Sequence, residues 1–145
     1  MPDDADVGQR AVAAMLAGDR ASAALGIELI ELGPDHARTR MTVRPDMVNG
    51  HDIAHGAMVF AVADTAFACA CNSAGPVTVA ASADVVFVRP AYLGDELVAE
   101  AVMRTRWGRH GVCDVTVRRG ADVIAEFRGR SAQLAAGAAG DAGGR

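Results

Sequence analysis

The sequence predicts an α+β fold: an antiparallel β-sheet wrapped around one long central α-helix, with a short helix at the N-terminus. Three observations carry that expectation. Residues 56–71 are apolar on every side of a helical projection, and Asp64 is the only formal charge between Asp52 and Asp84. A helix that is hydrophobic all round is enclosed by the rest of the protein. Strand-like runs flank it, two before and four after, and glycine-bearing connectors of hairpin length separate the last three.

Residues 7–17 have amphipathic helical spacing, with Asp6 as candidate cap and Gly18 as the stop. Residues 27–31 and 37–43 read as strands joined by the turn Gly33-Pro34-Asp35. In the second strand Thr39, Met41 and Val43 alternate with Arg38, Arg40 and Thr42. Arg44-Pro45-Asp46 breaks that strand, and the loop over 47–55 contains Asn49-Gly50. The long helix over 56–71 is stopped by Asn72-Ser73-Ala74-Gly75-Pro76. Residues 77–88, 97–107, 112–118 and 123–134 then read as four strands in a meander. Within 97–107, Ala99, Ala101, Met103 and Trp107 are expected on one face, opposite Glu100, Arg104 and Arg106. Within 123–134, Glu126, Arg128 and Arg130 share a face. One domain is expected over 1–134, its segment 1–25 helical, followed by a disordered low-complexity tail over 135–145.

A chain of 145 residues is long enough for one substantial core. With 51% hydrophobic but only 4% aromatic residues, that core is built from Ala, Val and Leu. All 14 basic residues are Arg, set against 18 acidic ones. The net charge of −4 disfavours wrapping nucleic acid, so an anionic ligand must be met by local Arg clusters. The acidic N-terminus lacks a leader-like apolar region. The apolar run 57–71 is too short for a bilayer and carries an acid, which together predict a cytoplasmic protein without a membrane anchor. Cys69, Cys71 and Cys113 are an odd set without framework spacing, expected as buried thiols in a reducing compartment.

Asp64 focuses the functional reading. A carboxylate taken out of water without partners costs several kcal/mol or is driven to its neutral form, so a residue kept there usually has a task. Asn49 lies six residues before His55, His55-Gly56 opens the helix, and Asp64 follows nine residues after His55. The N–H groups of Gly56 and Ala57 at the helix start are suited to a polarised carbonyl oxygen. Asp64 sits ~10 Å further along the axis at 1.5 Å per residue. Two antiparallel copies of the helix, side by side, would bring donors and acid together, which predicts a homo-oligomer. Other readings stay open. Asp64 can be a structural acid, His55 a cap, Asn49-Gly50 a turn, and the arginines a solvated sheet face. A metal held by His51, His55 and Asp64 is disfavoured because Gly50 and Gly56 disfavour one continuous helix presenting both histidines, and no metal is expected. Cys69 or Cys71 as a nucleophile is disfavoured because both lie more than three turns from His55.

The segments MVNGHDIAHGAMVFAVADTAFACACNSAG, VVFVRPAYLGDELVAEA, WGRHGVCDVTV and VIAEFRGRS resemble the hotdog-fold thioesterases of the phenylacetic acid degradation type, over residues 47–134. The resemblance implies the hotdog fold, a dimer with a continuous sheet, and a tetramer of two such dimers. It implies hydrolysis of acyl-CoA thioesters, notably phenylacetyl-CoA and its ring-hydroxylated relatives, with no cofactor beyond the CoA of the substrate. By the same resemblance Asp64 is the catalytic acid, Gly56 the backbone donor to the thioester carbonyl, and Asn49 and His55 its polar supports. Ser82 helps to orient the water, and Thr65, adjacent to the acid, supports it and is expected to orient the same water. One departure is His55-Gly56-Ala57 where the family usually reads His-Gly-Gly. Alanine keeps its N–H, and its methyl narrows the approach to the thioester. Arg89, Arg109, His110, Arg128 and Arg130, with Pro90 and Gly129 beside them, are the candidates for the CoA phosphates. The same fold also supports acyl-CoA hydratases or dehydratases, in which His55 would be the base, and non-catalytic acyl-CoA binders.

Overall fold

The structure, a computed structural model, describes residues 3–135. Two helices, α1 (Asp4–Ala17) and α2 (Arg20–Ala24), precede strands β1 (Glu28–Gly33) and β2 (His36–Thr42). A 3-10 turn (Pro45–Met47) leads to the long helix α3 (Gly56–Asn72), and β3 (Thr78–Phe87), β4 (Glu96–Trp107), β5 (His110–Arg119) and β6 (Asp122–Gln133) complete the chain. All six strands form one antiparallel sheet in the order β1-β2-β4-β5-β6-β3. The helix α3 lies across the face of that sheet that carries Ala37, Thr39, Met41, Ala99, Ala101, Val115 and Phe127. No helix among the described residues is long and apolar enough to cross a membrane.

Small side chains let helix and sheet approach closely. The buried Thr39 hydroxyl donates to the Val62 carbonyl at 2.9 Å, tying β2 to the middle of α3. Phe67 is tilted against Phe127 with ring centroids 5.6 Å apart, and lies over Gly129. A Cβ at Gly129 would come within 2.6 Å of the Phe67 ring, which is itself 1% exposed and has no room to retreat. Gly129→Ala is therefore expected to destabilise by about 1–3 kcal/mol, read as a lower urea midpoint at unchanged m-value. Gly129 faces this core, so the expectation that it contacts substrate from the surface is corrected.

The C-terminus of α3 is tied down by polar side chains. Asn72 accepts from the Thr78 N–H at 2.9 Å and donates to the Thr78 and Ala68 carbonyls, joining the helix end to the start of β3. Arg106 donates to Asp35 at 2.7 Å and to the Ala70 and Cys71 carbonyls at 3.4 Å, placing a cation at the negative end of the helix.

The order of the last four strands departs from the expected meander: β3 pairs with β6, and β4 pairs with β2. The connector after β3 is the reason. Its Ala91 carbonyl accepts from the Ala54 N–H, and Val43 exchanges backbone bonds with Gly94 and Asp95, so the chain is carried past the α3 start and onto β2. A bulge at Arg104 shifts the register of β4 between Met103 and Thr105. It turns Arg106 toward α3 and Trp107, expected with the buried residues, outward to 45% exposure. The helix α1 begins earlier than expected, capped by Asp3, whose carboxylate accepts from the Asp6 N–H. The tail from residue 136 on, expected to be disordered, lies outside the described residues.

Candidate functional site

The helix α3 is not buried on every face. Ala57, Ala61, Asp64 and Ala68 fall on one stripe at helical spacing, and each remains at least partly exposed in the single chain. Asp64 is the only charge on that stripe. Burial pushes its carboxyl above the ordinary carboxylate range, and the negative charge of Asp19 pushes it further the same way. No hydrogen bond or cation among the described residues opposes the shift. This is the state of a carboxylate kept half-dry and without a structural partner.

At the mouth of the helix, the His55 imidazole caps α3 by accepting from the Ala57 N–H through Nδ1 at 3.1 Å. The next two amides, of Met58 and Val59, donate to the His55 carbonyl. The expectation that Gly56 and Ala57 both present donors is thus narrowed: Ala57 is occupied, and Gly56 keeps an N–H without a partner among the described residues. The ring of Phe87 lies against Gly56, and a Cβ there would meet it at 3.0 Å. Gly56 and Phe87 border an apolar cavity of about 320 Å³, with Ile53, Val59, Val88 and Ile124 among its walls. The Asn49 side-chain oxygen accepts from the His51 and Ile53 N–H groups, which folds the loop that delivers His55; its amide nitrogen is free of partners among the described residues.

The other expected site residues are placed as follows. Ser82 sits exposed on β3, opposite Arg130, and makes no hydrogen bond to Asp64. Thr65 is buried, and its hydroxyl is engaged by the Ala61 carbonyl at 3.1 Å and by the Ser22 hydroxyl at 2.8 Å. It faces α2, so the expectation that it helps to hold a water beside the acid is corrected. Ser22 in turn hydrogen-bonds Asp19. Neither Asp19 nor Ser22 was singled out by sequence reasoning; an Asp three residues before a Ser signals only a local cap.

The cationic candidates do not converge within one chain. Arg89 donates to the Val123 carbonyl beside one end of β6, while the Arg109 carbonyl accepts from Gln133 at its other end. At ~3.3 Å per residue the two ends are roughly 30 Å apart. Arg128 is held bidentately by Asp114, with bonds of 2.6 and 2.9 Å, and Arg104 joins the same carboxylate. The Pro90 carbonyl accepts from Arg119, and His110 packs on Trp107 with ring centroids 5.8 Å apart. Arg130 and Arg109 are exposed and make no ion pair among the described residues. Among the described residues no three His, Cys, Asp or Glu side chains are grouped to hold a metal ion. The three cysteines are free and buried; burial pushes the Cys69 thiol up to about 12, Cys71 up to about 11, and Cys113 further in the same direction.

Comparison with known proteins gives a consistent result. The thioesterase superfamily model matches residues 51–126. The acyl-coenzyme A thioesterase PaaI of Escherichia coli (strain K12) is 40% identical over 130 residues, 89% of this chain and 93% of that protein. The structure of the E. coli PaaI protein from the phenylacetic acid degradation operon superposes with a TM-score of 0.88 at 36% identity, over 92% of this chain and 97% of that one. A mutant of the phenylacetic acid degradation protein PaaI from Thermus thermophilus gives 0.78 at 34% identity, over 80% of this chain and 100% of that one.

Proposed function

Because this chain belongs to the thioesterase superfamily, we propose that it hydrolyses acyl-CoA thioesters, phenylacetyl-CoA and its ring-hydroxylated relatives among them, to the free acid and CoA. The observation that carries the reading is the pairing, on one helix, of a half-buried carboxylate without partners, Asp64, with an unoccupied N–H at the helix start, Gly56. Hydrolysis of a thioester needs little more. The carbonyl is electrophilic and the thiolate is a good leaving group, so a base on one side and an oxyanion donor on the other suffice.

In the proposed reaction Asp64 takes a proton from water as its oxygen bonds to the carbonyl carbon, and the Gly56 N–H, reinforced by the positive end of α3, stabilises the resulting oxyanion. Collapse breaks the C–S bond, and the proton held by Asp64 passes to the departing CoA thiolate. Direct attack by Asp64, giving a mixed anhydride, is the other form of the same reading. Label in the enzyme's carboxylate after a single turnover in oxygen-18 water would establish the anhydride, since it appears only if Asp64 bonds to the acyl group and water then attacks the Asp64 carbon.

The two groups lie roughly 12 Å apart along one helix axis, at 1.5 Å per residue, too far to meet one carbonyl. The reading therefore includes a homodimer, in which Asp64 of one copy faces Gly56 of the other, and pairing of dimers into a tetramer. Its support is the edge strand β3 and the connector after it. Val79, Val86, Phe87 and Val88 are 43–58% exposed on a ten-residue strand edge and its immediate continuation, a surface that proteins ordinarily cover.

Incubation of the purified protein with phenylacetyl-CoA and a thiol reagent tests the activity. Steady release of free CoA is expected, and tight binding without release would replace hydrolysis by a binding role. The hydratase reading is disfavoured by His55, whose Nδ1 is occupied as a helix cap and whose proton therefore sits on Nε2, leaving no basic nitrogen free. For the CoA phosphates, Arg109 and Arg130 are candidate cations without an ion-pair partner among the described residues, whereas Arg128 is neutralised by Asp114. Arg130→Ala is expected to raise KM about two- to fivefold at unchanged kcat, as befits an exposed ion pair, and Arg128→Ala to raise it less.

A further inference from the structure

The segment α1–α2 meets α3 one residue from the acid, through a chain of three side chains. Asp19 caps α2 and accepts from the Ser22 N–H at 2.9 Å and from the Ser22 hydroxyl at 2.6 Å. Ser22, 7% exposed, lies 2.8 Å from the hydroxyl of Thr65, which is 8% exposed. A serine hydroxyl has one proton, and here the short bond to the carboxylate takes it. The Ser22 oxygen is then an acceptor, and the Thr65 proton is shared between it and the Ala61 carbonyl. The chain runs from Thr65 through Ser22 to an anion, with its direction set. Such a chain fixes the turn of α3 that carries Asp64, and it ends in an anion whose charge reaches Asp64.

We propose that Asp19 and Ser22 are positioning residues for thioester hydrolysis: together with Thr65 they brace the Asp64 turn, through a hydrogen-bond chain that ends in the Asp19 anion. The inference rests on the role given to Asp64 above. A base is stronger the more tightly it holds its proton, and a second negative charge nearby raises that hold. Asp19 is the charged group acting on Asp64. The other titratable groups around this face of α3 are thiols or lie beyond them. Cys69 feels the same Asp19 charge, and Cys71 feels Asp64 together with Arg106 and Asp35. The strands packed on α3 present Thr39, Ala99, Ala101, Val115 and Phe127, all uncharged, and one further buried thiol, Cys113.

The experiment compares wild type with Asp19→Asn, Ser22→Ala and Asp64→Asn in the assembled protein. It uses the pH profile of kcat/KM for phenylacetyl-CoA and the NMR titration of carbon-13-labelled aspartate carboxyls, the Asp64 signal being the one lost in Asp64→Asn. Asparagine caps a helix as well as aspartate does, so Asp19→Asn keeps the α2 cap while removing the charge and exchanging the acceptor of the Ser22 hydroxyl for an amide donor. The expected result is that the Asp64 midpoint and the acidic limb of the profile both move to lower pH in Asp19→Asn, with a lower plateau rate. In Ser22→Ala the Asp19 charge remains, so the limb stays, while kcat falls roughly three- to tenfold at constant KM, the scale of one part-buried hydrogen bond. A residue that only capped α2 would lower thermal stability and leave the limb in place. An inactive Asp64→Asn together with an unmoved midpoint and limb in Asp19→Asn would overturn the inference alone. An unchanged kcat in Ser22→Ala would remove the brace. Full activity in Asp64→Asn would instead overturn the catalytic reading on which both depend.

Discussion

Asp64→Asn is expected to lower kcat by roughly a hundred- to ten-thousandfold, the contribution of a general base, with KM close to that of the wild type. The substitution is nearly isosteric and keeps the open stripe of α3 intact, so what is lost is the capacity to take a proton. The same variant has a second, opposite effect. Burial and Asp19 raise the native carboxyl above its ordinary value, so between the unfolded and native midpoints the folded protein binds more protons than the unfolded chain. Stability contributed by protonated Asp64 is therefore full below the unfolded midpoint and lost as pH rises through the native one. Asparagine, never charged, escapes that loss. The Tm of Asp64→Asn is expected to exceed that of wild type at pH 7–8, and the gap to close below about pH 4. Wild-type kcat in this variant would remove Asp64 from the mechanism, and a lower Tm at neutral pH would mean that the carboxylate has a structural partner after all.

The second large effect lies in α1, far from the acid. Gly8→Ala places a methyl group on the Ser73 carbonyl oxygen, where α1 crosses the C-terminal end of α3 backbone to backbone. In an exposed helix the same change stabilises by about 0.5–1 kcal/mol. Here the sign reverses, because the atom in the way cannot move. The Ser73 N–H and hydroxyl both bond to the Ala70 carbonyl, and the hydroxyl oxygen also accepts from the Asp35 N–H at 2.9 Å. A loss of about 3 kcal/mol is expected, read as a lower urea midpoint. Gly18→Ala is the control: its backbone lies in the right-handed helical region, and its added Cβ would meet nothing nearer than 3.9 Å. Equal midpoints for the two variants would show that α1 is not held where the structure has it.

What could be read in the chain was whatever depends on local periodicity. Thr39, Met41 and Val43 point inward as their alternation requires, and Gly56–Asn72 is the helix that its apolar run demands. What could not be read depends on partners distant in sequence. A two-residue period looks the same on both sides of Arg104, so the bulge that expels Trp107 has no signature in it. Asp114 and Arg128 become a pair only once β5 and β6 are in register, and that pairing removes a cation from the expected phosphate site. Ser22 and Thr65 are 43 residues apart. The Ala57 amide reads as a free donor in the sequence, because nothing there shows that His55 turns back onto it.

The three buried cysteines have a bearing on the product. Each turnover of the proposed reaction releases CoA, itself a thiol, into a site whose helix carries Cys69 and Cys71. Both are held as neutral thiols by burial, and only thiolates exchange with disulfides at useful rates. Oxidised CoA arriving at the same binding surface would thus find no protein sulfur to couple with. A catalyst that handles sulfur at every cycle is insulated from covalent capture by its own cargo, through nothing more than the apolar packing that also builds its core.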